Sequence, residues 1–328
     1  MPLPGALATP LTGALMQPRP EALATPVPGA LATLLPGALP EGLTRPAMTS
    51  ERTASADSLD GELAALLRRP CTARVHSVFH RVVNLVLDDQ RLVALCSDDL
   101  DDAPWSVRVA VPDWDAWRID PGDPARLDAH GIELAAGRID LTPARIWTVV
   151  PPQPWHPGID HAIALQRHLA AAPRPADPFA RAVTGRIAVL TGRLARAEQA
   201  QDAEPVRAAV EGLLGLGAGL TPAGDDVLTG ILLIAAQPGS RIALTPRAVL
   251  AALADDPART TAVSVATLTE AVWGRARQRV LDLLHDLAAG VPEPRVAPVL
   301  AIGHTSGSDL VAGLACGIHL ERQLRGTL

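Results

Sequence analysis

Hydrophobic and polar positions change period twice along this chain. In residues 1–47 proline recurs every few positions, and variants of Pro-Gly-Ala-Leu-Ala-Thr repeat from Pro4 to Thr9, Pro28 to Thr33 and Pro36 to Leu39. Neither helix nor sheet persists through so many prolines, so this segment is expected to be a disordered extension. It has no basic segment followed by a continuous apolar run, so it does not read as a signal peptide. Met48 opens a more ordinary sequence and is read as the natural start. Residues 48–70 are assigned to a short helix: over Asp57 to Arg69, Leu59, Leu63, Leu66 and Leu67 share one face until Pro70 stops it.

From Cys71 the period shortens to two. Arg74 to Leu87 reads as one strand, Asp88-Asp89 as a turn and Arg91 to Cys96 as its hairpin partner. Trp105 to Val111, Ile132 to Leu134, Arg138 to Leu141 and Arg145 to Val150 complete a set of short strands. Pro151, Pro152 and Pro154 mark a boundary, and beyond it the period is helical. Helices are expected over 159–172, 179–196, 204–214, 225–236, 245–254, 260–289 with a break near Gly274, and 308–324. The fold class is α+β, with a small β-barrel or sandwich over 71–150 and a mostly α-helical domain over 151–328.

Composition narrows the chemistry. Every one of the 29 basic residues is Arg. Without Lys there is no Schiff base, pyridoxal-phosphate anchor or Walker lysine. A net charge of −6 with no basic face argues against nucleic acid. No apolar run reaches the roughly 20 residues of a membrane span. Cys71, Cys96 and Cys316 form no C-x-x-C pair and read as reduced, buried thiols of a cytoplasmic protein.

Two glycine-rich turns run into apolar helices. The first is Gly215-Leu-Gly217-Ala-Gly219-Leu-Thr221-Pro-Ala-Gly224-Asp225-Asp226, and the second is Gly303-His304-Thr305-Ser306-Gly307-Ser-Asp309. Helix N-termini offer free N–H groups and positive potential to an anion. Thr221 suits an N-cap and Pro222 a first helical position. Capping explains those residues but not the extra glycines, each costing about 1 kcal/mol of backbone order if idle. Asp225 and Asp226 are candidates to bind a divalent cation, Mg²⁺ among them, or an amide or ammonium group. His304 is a candidate general acid or anion ligand, or else a satisfied turn histidine. Val299 to Ile302 is read as an extended entry to the second turn.

A third helix start, Asp256-Pro-Ala-Arg259-Thr260-Thr261-Ala-Val-Ser264, offers Arg259 to a carboxylate or phosphate, or a plain Thr cap beside a solvated Arg. In the β region, His76 and His80 have the spacing of a helical zinc pair but lie in strand sequence, which argues against a metal. Asn84 interrupts an apolar strand and is a candidate to bond a ligand or a turn. Trp105, Trp114, Trp117 and Trp147 fit packing better than base stacking.

The three helix starts in this order, with the opening Val75-His-Ser-Val-Phe-His-Arg-Val-Val-Asn-Leu, resemble a bacterial family long labelled a domain of unknown function. It includes the AllH-type subunit of oxamate carbamoyltransferase from anaerobic allantoin degradation. The resemblance spans roughly residues 70–325. It implies exchange of a carbamoyl group between oxalurate and phosphate, giving oxamate and carbamoyl phosphate, in a multi-subunit complex. Carried onto this chain, it makes Thr305, Ser306 and Arg259 the grip on phosphate or carboxylate, with Gly217, Gly219, Thr221, Gly224, Thr260, Gly307 and Asn84 as further substrate contacts. His304 would polarise the carbonyl, and Asp225 or Asp226 would orient the amine. A non-catalytic anion-binding or regulatory subunit, and a metal-dependent hydrolase built on the Asp pair, are the alternatives.

Overall fold

A computed structural model describes residues 52–154, 158–171 and 178–327. The expectations for residues 1–47 and Met48 lie outside them. The rest divides into two hydrophobic cores, one built from the strands and one from the helices.

The first core is inside a closed barrel. Strand β1 is Arg52–Asp60, followed by the short helix α1, Gly61–Leu66. Strands β2 (Cys71–Val78), β3 (Val82–Leu87), β4 (Leu92–Cys96), β5 (Ser106–Val109), β6 (Pro124–Leu127), β7 (Gly131–Leu134) and β8 (Gly137–Asp140) follow. Hydrogen-bonded neighbours run β5-β4-β3-β2-β6-β7-β8-β1, and β1 pairs back onto β5, so eight strands close the ring. A ninth strand, β9 (Arg145–Trp147), lies parallel to the last residues of β1. Closure removes the sheet edges and lets Val83, Leu85, Val93, Leu95, Val107 and Ile139 fill the interior.

The barrel corrects the expected helix over Asp57 to Arg69. Residues 57–60 are strand because Ser58 and Leu59 pair with β5 and the Asp60 carboxylate accepts the Trp105 N–H, leaving only Gly61–Leu66 helical. The single strand expected over Arg74 to Leu87 is a hairpin, β2 and β3, turned by the mutual Phe79–Val82 backbone bonds. The hairpin across Asp88-Asp89 is present between β3 and β4.

Among the described residues, nine helices make the second layer. They are α2 (Ile159–Ala171), α3 (Pro178–Ala200), α4 (Ala203–Leu213), α5 (Ala223–Ala235), α6 (Leu244–Asp255), α7 (Ala262–Val272), α8 (Gln278–Ala288), α9 (Val296–Leu300) and α10 (Ser306–Arg325). The pattern expected over 260–289 splits into α7 and α8 around Gly274, whose φ is +71°. Val299 to Ile302 is not extended; Val299 and Leu300 end α9.

Helix α5 is buried on every side from Gly224 to Ile234. It lies against α10 so closely that a Cβ on Gly313 would overlap the Val227 carbonyl and one on Gly230 the Leu310 carbonyl. Gly317 meets Ile231 and Ile234 further along. Contacts advance in the same direction on both helices, so α5 and α10 run parallel and their N-termini sit side by side.

The barrel docks on the helices through a polar joint. Arg275, between α7 and α8, reaches Asp60 at 3.0 Å, Glu62 at 3.1 Å and Glu270 at 2.6 Å. The Trp105 indole N–H donates to Glu270 Oε1 at 3.0 Å, and the Trp147 indole N–H to Gln278 Oε1 at 2.6 Å. Arg277 pairs with Asp101, whose other oxygen takes the Arg279 N–H. Cys71, Cys96 and Cys316 are free thiols, and burial pushes Cys96 up to about 12. No described helix is long and apolar enough to cross a membrane.

Candidate functional site

The parallel pairing of α5 and α10 brings the two glycine-rich turns together, and α7 adds a third helix start. Thr221 Oγ1 and Ser306 Oγ hydrogen-bond at 2.7 Å, tying the first turn to the second. Thr261 Oγ1 donates to the Leu220 carbonyl at 2.5 Å, and Thr260 Oγ1 donates to Asp225 Oδ2, tying the first turn to the third. Thr261 also caps α7 by accepting the Ser264 N–H at 3.1 Å. Thr221 does not cap α5; Pro222 holds that position and the helix begins at Ala223.

The glycines make this approach possible. Gly215 has φ +70°, and a Cβ there would overlap the Arg259 carbonyl oxygen. Gly217 and Gly219 also take positive φ, while Gly224 and Gly307 sit against the carbonyls of Leu213 and Val299.

The two adjacent aspartates have different surroundings. Asp225 accepts the Gly215 N–H at 2.8 Å on one oxygen and the Thr260 hydroxyl on the other, so it staples the turn. Burial raises its pKa, and these hydrogen bonds oppose the rise. Asp226 is 6% exposed, and its Oδ2 has no hydrogen-bond partner. Burial pushes it up to about 7, against lowering by Ser306 and Thr221 and with further raising by Asp309 and Asp225. Those two hydroxyls also bond each other, and Asp226 Oδ2 has no partner. Ser264 Oγ, 1% exposed beside Asp225, also has no partner. Asp309, in the first turn of α10, is raised by burial to about 6.

Asp309 and Ser264 extend the predicted site. The signal for both was in the motifs, since Asp309 occupies in α10 the first-turn position that Asp225 and Asp226 occupy in α5. His304 and Thr305 lie exposed on the rim of the second turn. The Arg259 guanidinium is 3.6 Å from Glu211 and 3.8 Å from Asp256. Asn84 is not drawn to the turns by any described bond. It lies in β3, and its amide donates to Ser77 Oγ on β2 at 3.0 Å. His80 bonds Asp115 at 2.9 Å rather than pairing with His76.

Chemically, the place is a buried acid, Asp226, and a half-buried one, Asp309, set among hydroxyls and three helix N-termini. The helix ends favour an anion and the acids favour a cation or an N–H donor.

Two family models match the chain and together cover more than half of it. One, described as oxamate carbamoyltransferase subunit AllH, matches residues 213–318 and so includes all three helix starts. The other, the AllH family N-terminal domain, matches residues 52–146, the barrel. No solved structure matches the chain.

Proposed function

The chain belongs to the AllH family, and we propose that it is a carbamoyltransferase subunit acting on a small anionic amide such as oxamate with carbamoyl phosphate. In this reading the oxamate amide nitrogen attacks the carbonyl carbon of carbamoyl phosphate. The bond from that carbon to the phosphate oxygen breaks, and the nitrogen gives up a proton. Oxalurate and phosphate leave, and the same groups run the exchange in reverse.

The observation that carries this reading is the meeting of three helix N-termini, α5, α7 and α10, through the Thr221–Ser306 and Thr260–Asp225 bonds. Backbone N–H groups and hydroxyls there hold phosphate or carboxylate in a chain without lysine. Thr305, Ser306, Gly307, Thr260 and Arg259 form the anion side. Gly217, Gly219, Thr221 and Gly224 set the opposing wall, and turn N–H groups stabilise the tetrahedral oxyanion. His304 polarises the carbonyl from the rim. Asp225 is occupied with the turn, so Asp226 is the acid that serves the reactants. Other carbamoyltransferase subunits complete the assembly.

Thermal shift on the full chain tests this with carbamoyl phosphate, phosphate, oxamate and oxalurate. A ligand that binds only the folded state raises Tm. Stabilisation by carbamoyl phosphate that is lost in His304→Ala supports the reading. Stabilisation that survives in His304→Ala and Ser306→Ala alike removes the anion from these turns.

A further inference from the structure

The electrostatics of the site contain a conflict. The proposed reactants are anions, yet buried Asp226 and half-buried Asp309 are acids placed where those reactants would bind, and like charges in a dehydrated site repel strongly. A countercharge is needed. The chain has no lysine. Arg259, the nearest arginine in sequence to any of the three helix starts, lies between Glu211 and Asp256, which offset its single charge, so it grips one anion without also balancing the acids. The influences on Asp226 are burial, the hydroxyls of Ser306 and Thr221, and the neighbouring acids. Helix N-termini supply only partial charges.

We infer that Asp226 and Asp309 together hold a hard divalent cation, Mg²⁺ or Mn²⁺, at the start of α5 and α10, with Ser306 and Thr221 as neighbouring oxygen donors. Two observations meet in it. Two helices packed glycine to glycine, their starts tied by the Thr221–Ser306 bond, each carry an acid in the first turn, Asp226 and Asp309. One of those carboxylates, 6% exposed, keeps an oxygen with no partner. A buried unsatisfied carboxylate oxygen is costly, and a cation satisfies it. The donor set is all oxygen, as Mg²⁺ requires, and Mg²⁺ characteristically binds through one or two carboxylates and completes its shell with water and substrate phosphate. Asp225 is excluded from the ligand set, because the Gly215 N–H and Thr260 hydroxyl occupy its oxygens. The proposal rests on the carbamoyl reading only for what the cation does, which is to bridge the acids to the reactants' oxygens.

The test is Mn²⁺ binding to the full chain, followed by the loss of the free-ion EPR signal without any substrate. Asp226→Asn and Asp309→Asn should each weaken binding at least tenfold. Asp113→Asn should leave it unchanged. Asp113 belongs to the exposed His80, Asp113 and Asp115 group on the barrel, the competing cluster among the described residues. Binding that follows Asp113, or no binding at millimolar Mn²⁺ by a chain whose circular dichroism shows it folded, overturns the proposal. The countercharge would then be a partner's basic residue or the amide N–H groups themselves. Mn²⁺ binding with no response to carbamoyl phosphate would leave the cation site standing and remove the carbamoyl reading. A Tm response to carbamoyl phosphate without Mn²⁺ binding would do the reverse.

Discussion

Asp60 and Asp226 are both buried aspartates, 2% and 6% exposed, yet they end differently. Asp60, at the barrel joint, takes the Trp105 N–H and the Arg275 guanidinium. Asp226, at the helix starts, keeps an unpartnered oxygen and is pushed up to about 7. Other buried acids of the helical layer follow the joint: Glu198 accepts from the N–H groups of Ala243, Leu244 and Thr245 and from the Thr245 hydroxyl. Where burial serves packing, the charge is matched. Where it is left unmatched at converging helix ends, the proposed cation and reactants would supply the match.

The largest effect expected from breaking this contrast lies at the joint. Arg275→Met strands Asp60 and Glu270 without their cation and should cost about 3–5 kcal/mol in urea unfolding, with ligand response per folded molecule unchanged.

Second is a pH effect at Asp226. Its folded pKa lies above the unfolded value of about 4, so the fold favours the protonated form. That stability is complete below about pH 4 and is lost as pH rises through about 7. In EDTA, unfolding free energy should therefore fall from pH 5 to pH 8 by on the order of a few kcal/mol more in the wild type than in Asp226→Asn. Asp309, raised to about 6, adds in the same direction. Equal slopes in the two proteins would place Asp226 among the matched acids.

Gly313→Ala pushes α10 off the Val227 carbonyl and should cost about 1–3 kcal/mol. It should also weaken ligand binding, because the two helix starts separate. Smallest is Asn84→Ala, which removes the bond to Ser77 and should cost about 1 kcal/mol with no change in the ligand-induced Tm shift.

Much of this was legible in the sequence. Alternation gave most of the barrel strands, and glycine with hydroxyl clusters at helix starts located α5, α7 and α10. The failures were non-local. Residues 57–60 carry a helical leucine spacing, but pairing with β5 and burial of Asp60 override it. Asp225 and Asp226 are adjacent and identical in type, and only the positions of Gly215, Thr260 and Ser306 separate a staple from an open acid. Asn84, a candidate to bond a ligand or a turn, bonds Ser77 across a hairpin whose turn, Phe79 to Arg81, carries no glycine or proline to mark it in the sequence.

The most direct measurement of the central claim is calorimetric binding of carbamoyl phosphate, in Mg²⁺, to wild type, Asp60→Asn and Asp226→Asn. Binding at least tenfold weaker in Asp226→Asn, with Asp60→Asn binding normally though less stable, is the predicted result. Wild-type affinity in Asp226→Asn would contradict it.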